Sequence, residues 1–330
     1  MTAPFETRDT ASAVGAAETP GRFRRAFAKT AGHLAPHARL LSWLSLAANI
    51  LIVGTGGLVR LTASGLGCPT WPLCTEESLV NTPEMGIHGI IEFGNRLLTV
   101  VLIAIAVAAF LSVAGRRRER PDLVRLTLAI GIGIIVQAGV GGITVLLDLH
   151  PGAVGVHFIL SAVLVSIAAT FVYRVYAGPA GPRRTGRVMT GLVAMLVVSA
   201  VVTIYLGTLT TGAGPHAGDS AAERNGLDAS VLQHFHAWPS YALLGLTVLL
   251  VSIAAWRRVP VPDPRLLLLL LGAELVQMAI GIAQARLGLP VFLVGAHMVL
   301  ACVLVAALTW VVLSTRARSP RAVEAPTPGA

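Results

Sequence analysis

VQAGVGGITVLLDLHPGAVGVHFILSAVLV, residues 136–165, returns 140 positions later as VQMAIGIAQARLGLPVFLVGAHMVLACVLV, residues 276–305. With no gap, Val136, Gln137, Gly141, Gly155, His157, Leu160, Val163, Leu164 and Val165 each meet the same residue in the second copy. A match of that length marks an internal repeat rather than shared composition. TASG at 62–65 and TGAG at 211–214 extend the correspondence to a second pair of segments.

The repeated unit is a set of membrane helices. The chain is 55% hydrophobic and 12% charged, and its mean hydropathy is positive, which excludes an ordinary soluble domain. Runs of roughly 20 or more predominantly apolar residues, enough to cross hydrocarbon as a helix, lie near 40–61, 86–113, 123–147, 153–174, 188–210, 230–255, 264–286 and 290–314. Each copy then holds four helices, and an even number gives both copies the same orientation across the membrane. The fold class is an all-α membrane protein: eight transmembrane helices as two repeated four-helix bundles in parallel orientation. The N-terminal bundle covers 40–177, a linker 178–187, and the C-terminal bundle 188–314. Residues 1–39 and 315–330 read as cytoplasmic tails, the first of them disordered.

Lys and Arg collect in cytoplasmic loops. The loops joining helices 2–3, 4–5 and 6–7, the two tails and Arg174 hold 21 of the 25 Lys and Arg. Both termini are therefore expected in the cytoplasm. Arg60, Arg96, Arg224 and Arg286 are the remainder. The topology rule and anionic lipid head groups account for the net charge of +9, so no nucleic-acid partner is expected. The first apolar segment is longer than a signal-peptide core and has no clear cleavage site; it is read as a retained helix of a multi-pass plasma-membrane protein.

His157 and His297 are related by the repeat, each six or seven residues into its helix from the outer side. His236, in VLQHFHAWPS, lies at about the depth of His297. Antiparallel neighbours in a bundle present two such imidazoles to one centre. That is the usual axial ligation of haem iron in a membrane bundle, whereas zinc wants further ligands that this half does not supply. His234 points elsewhere, and Pro239 is expected to kink its helix and make room for a large planar ligand. His216 is expected at an outer rim.

CPTWPLC, 68–74, falls in the first outer loop, in an oxidising compartment, where Cys68 and Cys74 are expected to pair. Their bond is either a staple or redox-active. Cys302 reads as a packing residue. On the second helix, IHGIIEFGNRLL at 87–98 places His88, Glu92, Asn95 and Arg96 in an apolar run. An intramembrane carboxylate faces a bundle interior and marks function. Its alternative is a neutralising pair between Glu92 and Arg96 at i, i+4. Arg60 and Arg96 are candidates for haem propionates through charge-assisted hydrogen bonds.

In order, GGLVRLTASGLGCPTWPLC (56–74), IEFGNR (91–96), His157, TGAGPHAGD (211–219), FHA (235–237) and LVGAHM (293–298) resemble the heme A synthase family over roughly residues 44–314. The resemblance implies a haem-dependent membrane oxidoreductase that converts the C8 methyl of heme O, in two steps, to the formyl group of heme A for terminal oxidases. It implies a permanent heme b in the C-terminal bundle, here between His236 and His297. Heme O and heme A, substrate and product, would occupy the N-terminal bundle, with Glu92, Cys68 and Cys74 as catalytic residues. Implied partners are heme O, membrane lipid, an unidentified electron donor, and heme O synthase or oxidase assembly factors.

One departure stands out. The family commonly carries a second His three residues after the Glu, and here that residue is Asn95. An offset of 141 likewise sets Asn95 against His236 and Glu92 against Gln233. His88 is the expected substitute ligand beside His157. Because it lies about 10 Å of helix from Asn95, an iron held by His88 would sit nearer the outer surface. The alternative functions are a non-catalytic two-haem transmembrane b-type cytochrome and a haem transporter or chaperone. A pure electron carrier would be expected to keep two alike sites.

Overall fold

Proline, glycine and short polar side chains set the helix boundaries. The structure is a computed structural model describing residues 21–256 and 259–318. Its helices are α1 (Arg22–Leu34), α2 (Ala38–Leu61), α3 (Gly86–Ala114), α4 (Pro121–Leu146), α5 (Pro151–Ala177), α6 (Arg187–Ala213), α7 (Ala229–Trp256), α8 (Pro264–Arg286) and α9 (Val291–Ser314). Two short strands, β1 (Ala180–Arg183) and β2 (Arg316–Arg318), pair antiparallel. Pro121, Pro151 and Pro264 open their helices, where a missing N–H removes no bond. Asp263 accepts the Arg265 N–H at the start of α8. Asp228 accepts from Ser230 and Val231 ahead of α7, and these bonds hold its carboxyl below the ordinary carboxylate range. Gly178, at φ +75°, closes α5.

Eight helices, α2 to α9, are long and apolar enough to cross a membrane, and the protein is a multi-pass membrane protein. Side chains such as Val100, Ile132, Val201 and Leu268 point outward and are exposed, as hydrocarbon-facing residues must be. Helices α2, α3, α4 and α5 close one ring of neighbours, and α6, α7, α8 and α9 close another; α9 lies against α2 and α5, and α5 against α6. Glycines make the α2–α9 approach close. A Cβ on Gly54 would stand 3.0 Å from Val299, and one on Gly57 would stand 3.2 Å from Met298. Ser166 and Thr309 hydroxyls meet at 3.0 Å, and Trp310 donates to the Ala169 carbonyl at 2.9 Å, across the adjoining α5–α9 seam. Cys302 is buried there as a packing residue.

Alternating helix directions bring the segments 62–85, 147–150, 214–228 and 287–290 to one face, called here the disulfide face. Gly65 N–H donates to Gly218 O at 2.8 Å, and Leu149, Ala217 and Ala222 form a small apolar cluster with Leu66. The turns 147–150 and 287–290 share an unusual backbone. Asp148 and Leu149 have positive φ, and so do Gly288 and Leu289. A leucine in the left-handed region is strained; burial of Leu149 in the cluster offsets that strain.

One expectation is corrected. Residues 22–34, placed in a disordered tail, form α1, and a single 3-10 turn at 35–37 leads into α2. The segment RFRRAFAKTAGHL has no proline and spaces Phe27, Ala31 and Leu34 on one face. Ala31 is buried and α1 packs on α3, with Arg22, Arg25 and Lys29 exposed. On the face opposite the disulfide, the linker and the start of the second tail are also ordered: Ala180 pairs with Arg318 and Arg183 with Arg316. The rest of the two tails, 1–20 and 319–330, lies outside the described residues.

Candidate functional site

Helix α7 carries His236 and helix α9 carries His297, and their rings meet in a T-shaped arrangement with centroids 6.2 Å apart and planes at 71°. The His236 Nδ1–H donates to the Thr203 carbonyl of α6 at 2.8 Å; a carbonyl only accepts, so the lone pair is left on Nε2. His297 Nδ1 is buried without a partner. Two imidazole–metal bonds of about 2 Å, plus roughly 1 Å from each ring nitrogen to its centroid, sum to about 6 Å. The spacing therefore fits a single ion held between two ring nitrogens. No group of three His, Cys, Asp or Glu suited to a metal ion occurs among the described residues; the pair offers two imidazoles.

Glycine makes room for these rings. A Cβ on Gly207 would come within 2.9 Å of the His236 ring, and one on Gly281 within 3.2 Å of the His297 ring. The first half contains the same arrangement at His157, whose ring lies against Gly141 and whose Nδ1 is buried without a partner. Gln137 Nε2 donates to His157 O, and Gln277 Nε2 to His297 O, both at 3.1 Å.

Asn95 does not have an imidazole's chemistry. Its Oδ1 accepts from Thr55 Oγ1 at 2.7 Å, and its amide nitrogen is next to Gly56 of α2, much as His236 is next to Gly207 of α6. His88 lies elsewhere. It is exposed in the first turn of α3, within 2.9 Å of Ser64 Oγ, and lines a cleft of about 480 Å³ shared with Met85, Pro69 and Asp219 at the disulfide face. His216 Nε2 donates to Leu289 O at 3.0 Å on this face, and His234 is exposed and bonded to its own helix.

Cys68 and Cys74 are joined as a disulfide, and both are fully buried. The polar residues of α3 hold this loop. Glu92 Oε2 accepts the Cys68 N–H at 2.6 Å, while Oε1 accepts from Arg96. Arg96 also donates to Leu73 O at 3.0 Å and to Cys68 O at 2.9 Å. Glu92 and Arg96 are thus paired, as the i, i+4 alternative anticipated, but the pair also grips both ends of CPTWPLC. Trp71 completes the seat: a Cβ on Gly142 of α4 would overlap its ring. Arg60 is engaged too. It donates to His216 O at 2.7 Å and to Thr211 O, a terminal carbonyl of α6, at 3.0 Å, tying the two rings together.

Sequence reading missed one buried carboxyl. Glu274 of α8 is 5% exposed and accepts from Thr247 of α7 at 2.8 Å. The rule that singled out Glu92, an ionisable residue inside an apolar helix, applies to it equally.

The fold and these side chains define a class: a multi-pass helical membrane protein with a half-buried pair of histidines in one ring of helices and a half-buried histidine, His157, in the other. A family model described as cytochrome oxidase assembly protein (COX15-CtaA) matches residues 39–309, and the chain belongs to that family. It is similar to the heme A synthase of Bacillus pumilus (strain SAFR-032), 31% identical over 139 residues, 41% of this chain and 43% of the relative. It is also similar to that of Symbiobacterium thermophilum, 30% identical over 137 residues, 39% of this chain and 44% of the relative. The match to the Geobacillus thermodenitrificans heme A synthase is 30% over 102 residues, 31% of each chain. The chain thus aligns over less than half the length of each of these relatives.

Proposed function

We propose that this protein is a heme A synthase, oxidising the C8 methyl of heme O to the formyl group of heme A. The observation that carries the reading is the ring pair His236 and His297 in one half, set against His157 in the other, which has no ring partner among the described residues. His236 and His297 would hold a resident heme b, which would supply a fixed redox centre there. The substrate haem would be held in the first ring by His157, with Asn95 lining that ring and supplying no ligand nitrogen. A substrate that must leave as product is better served by one ligand than by two. His88 lines the outer cleft rather than ligating, since its contacts are Ser64 and loop residues.

The two rings are two copies of one four-helix unit. Supporting this are the gapless repeat, the matching Gln137–His157 and Gln277–His297 bonds, and the positive φ at residues 148–149 and 288–289. The ribbon face, rich in arginine, is cytoplasmic and the disulfide face extracytoplasmic. Glu92 and Arg96 act through the Cys68–Cys74 loop as positioning residues, and Arg60 joins the halves rather than anchoring propionates; each already has its partners within the chain. An electron donor must serve the second ring.

The test is spectroscopic. The full chain purified in detergent is expected to carry a low-spin b-type spectrum that His236→Ala and His297→Ala each abolish and that His157→Ala and His88→Ala keep. Persistence of the spectrum in both His236→Ala and His297→Ala overturns the assignment.

A further inference from the structure

Glu274 interrupts LLLLLLGAELVQM, residues 266–278. One of its oxygens accepts from Thr247, and the other, Oε2, is buried with no partner among the described residues. Two more buried acceptors on α8 are in the same condition, Gln277 Oε1 and Gln284 Oε1. Positions 274, 277, 281 and 284 share one helical face, and Gly281 among them lies against the His297 ring. The line rises about 15 Å from Glu274 toward the disulfide face. Buried acceptors need donors: a carboxyl oxygen finds one in its own proton or in water, and an amide oxygen here in water.

The first half shows that packing does not require this pair. At the offset of 140, Glu274 corresponds to Ile134, and at 141, Thr247 corresponds to Ala106; both are buried apolar residues. A buried apolar pair in one half is a hydrogen-bonded polar pair in the other.

We propose that Glu274 with Thr247 is a proton-binding site inside the membrane, reached from the disulfide face through water held by Gln277 and Gln284. Glu274 lies seven residues, about 10 Å of helix, from Gly281 at the His297 ring. In low dielectric a proton bound there stabilises an electron at the His236–His297 centre; this coupling rests on the haem reading above, while the proton site does not. The titratable groups on the packed helices are His234, His236 and Tyr241 of α7 and His297 and Cys302 of α9. Arg265 and Arg286 stand at the two ends of α8. The hydrogen bond to Glu274 comes from Thr247 alone among the described residues.

The test is infrared difference spectroscopy of the full chain in bilayers, wild type against Glu274→Gln, in H2O and D2O. Glutamine keeps an acceptor for Thr247 and the side-chain shape but cannot titrate. The expected result is a carboxylic-acid carbonyl band that titrates with pH, shifts on transfer to D2O and is missing from the variant. Gln284→Leu is expected to slow that exchange at least tenfold. Absence of the band, or exchange as fast in Gln284→Leu, overturns the site. In the haem-loaded protein the midpoint potential is expected to lose pH dependence in Glu274→Gln, and an unchanged slope overturns the coupling. Failure to bind haem would count against the haem reading and leave the infrared result standing.

Discussion

At the scale of single residues, His236 is held by one hydrogen bond and one glycine. Gly207→Ala places a Cβ 2.9 Å from its ring, closer than side chains tolerate, so the imidazole must turn away from His297. The expected outcome is a weakened or high-spin haem spectrum with helix content unchanged in circular dichroism. Glu92 permits a second prediction. Removing its carboxylate takes an acceptor from the Cys68 N–H and an ion-pair partner from Arg96. A charge-assisted bond contributes about 1.5–3 kcal/mol, so Glu92→Ala is expected to speed reduction of Cys68–Cys74 by dithiothreitol roughly 10- to 100-fold. An unchanged rate would show that the grip on the loop is not energetic. Sequence alone makes Glu92 stand out as polar in an apolar run and offers Arg96 as its partner. It cannot show that both oxygens are taken by the chain, because the Cys68 amide arrives from 24 residues away.

Among elements, the α2–α9 seam depends on glycines whose purpose no local pattern reveals. Gly54, Gly56 and Gly57 look like flexibility in sequence, yet two of them admit Val299 and Met298 from a helix more than 240 residues away. Gly57→Leu is expected to destabilise the protein by about 1–3 kcal/mol through overpacking, read as a lower midpoint in thermal unfolding in detergent. Gly131, with open space at its Cβ position, is the control, and Gly131→Leu is expected to leave the midpoint nearly unchanged. The helix spans themselves are legible from hydropathy, because hydrocarbon demands long apolar helices whatever their neighbours do. Helix α1 and the β1–β2 ribbon are not, since both are short polar segments ordered by tertiary contacts with α3 and with each other.

For the whole molecule, the 140-residue repeat is readable without coordinates, whereas the contacts that join the halves are not. Arg60 donates two bonds from α2 to the second half. Arg60→Ala is expected to lower stability by about 1–3 kcal/mol and to increase proteolysis within 214–228, while Arg60→Lys restores part of the loss; equal resistance in all three proteins would contradict the link. Sequence also sets Asn95 of the first half against His236 of the second, the asymmetry on which the proposed function rests. The most direct test supplies heme O to a cell expressing the full chain together with a working electron donor, then extracts and analyses the haem. The expected result is haem carrying the formyl group, lost in His157→Ala and in His236→Ala. Heme O recovered unchanged from protein that has bound both haems would contradict the enzymatic reading.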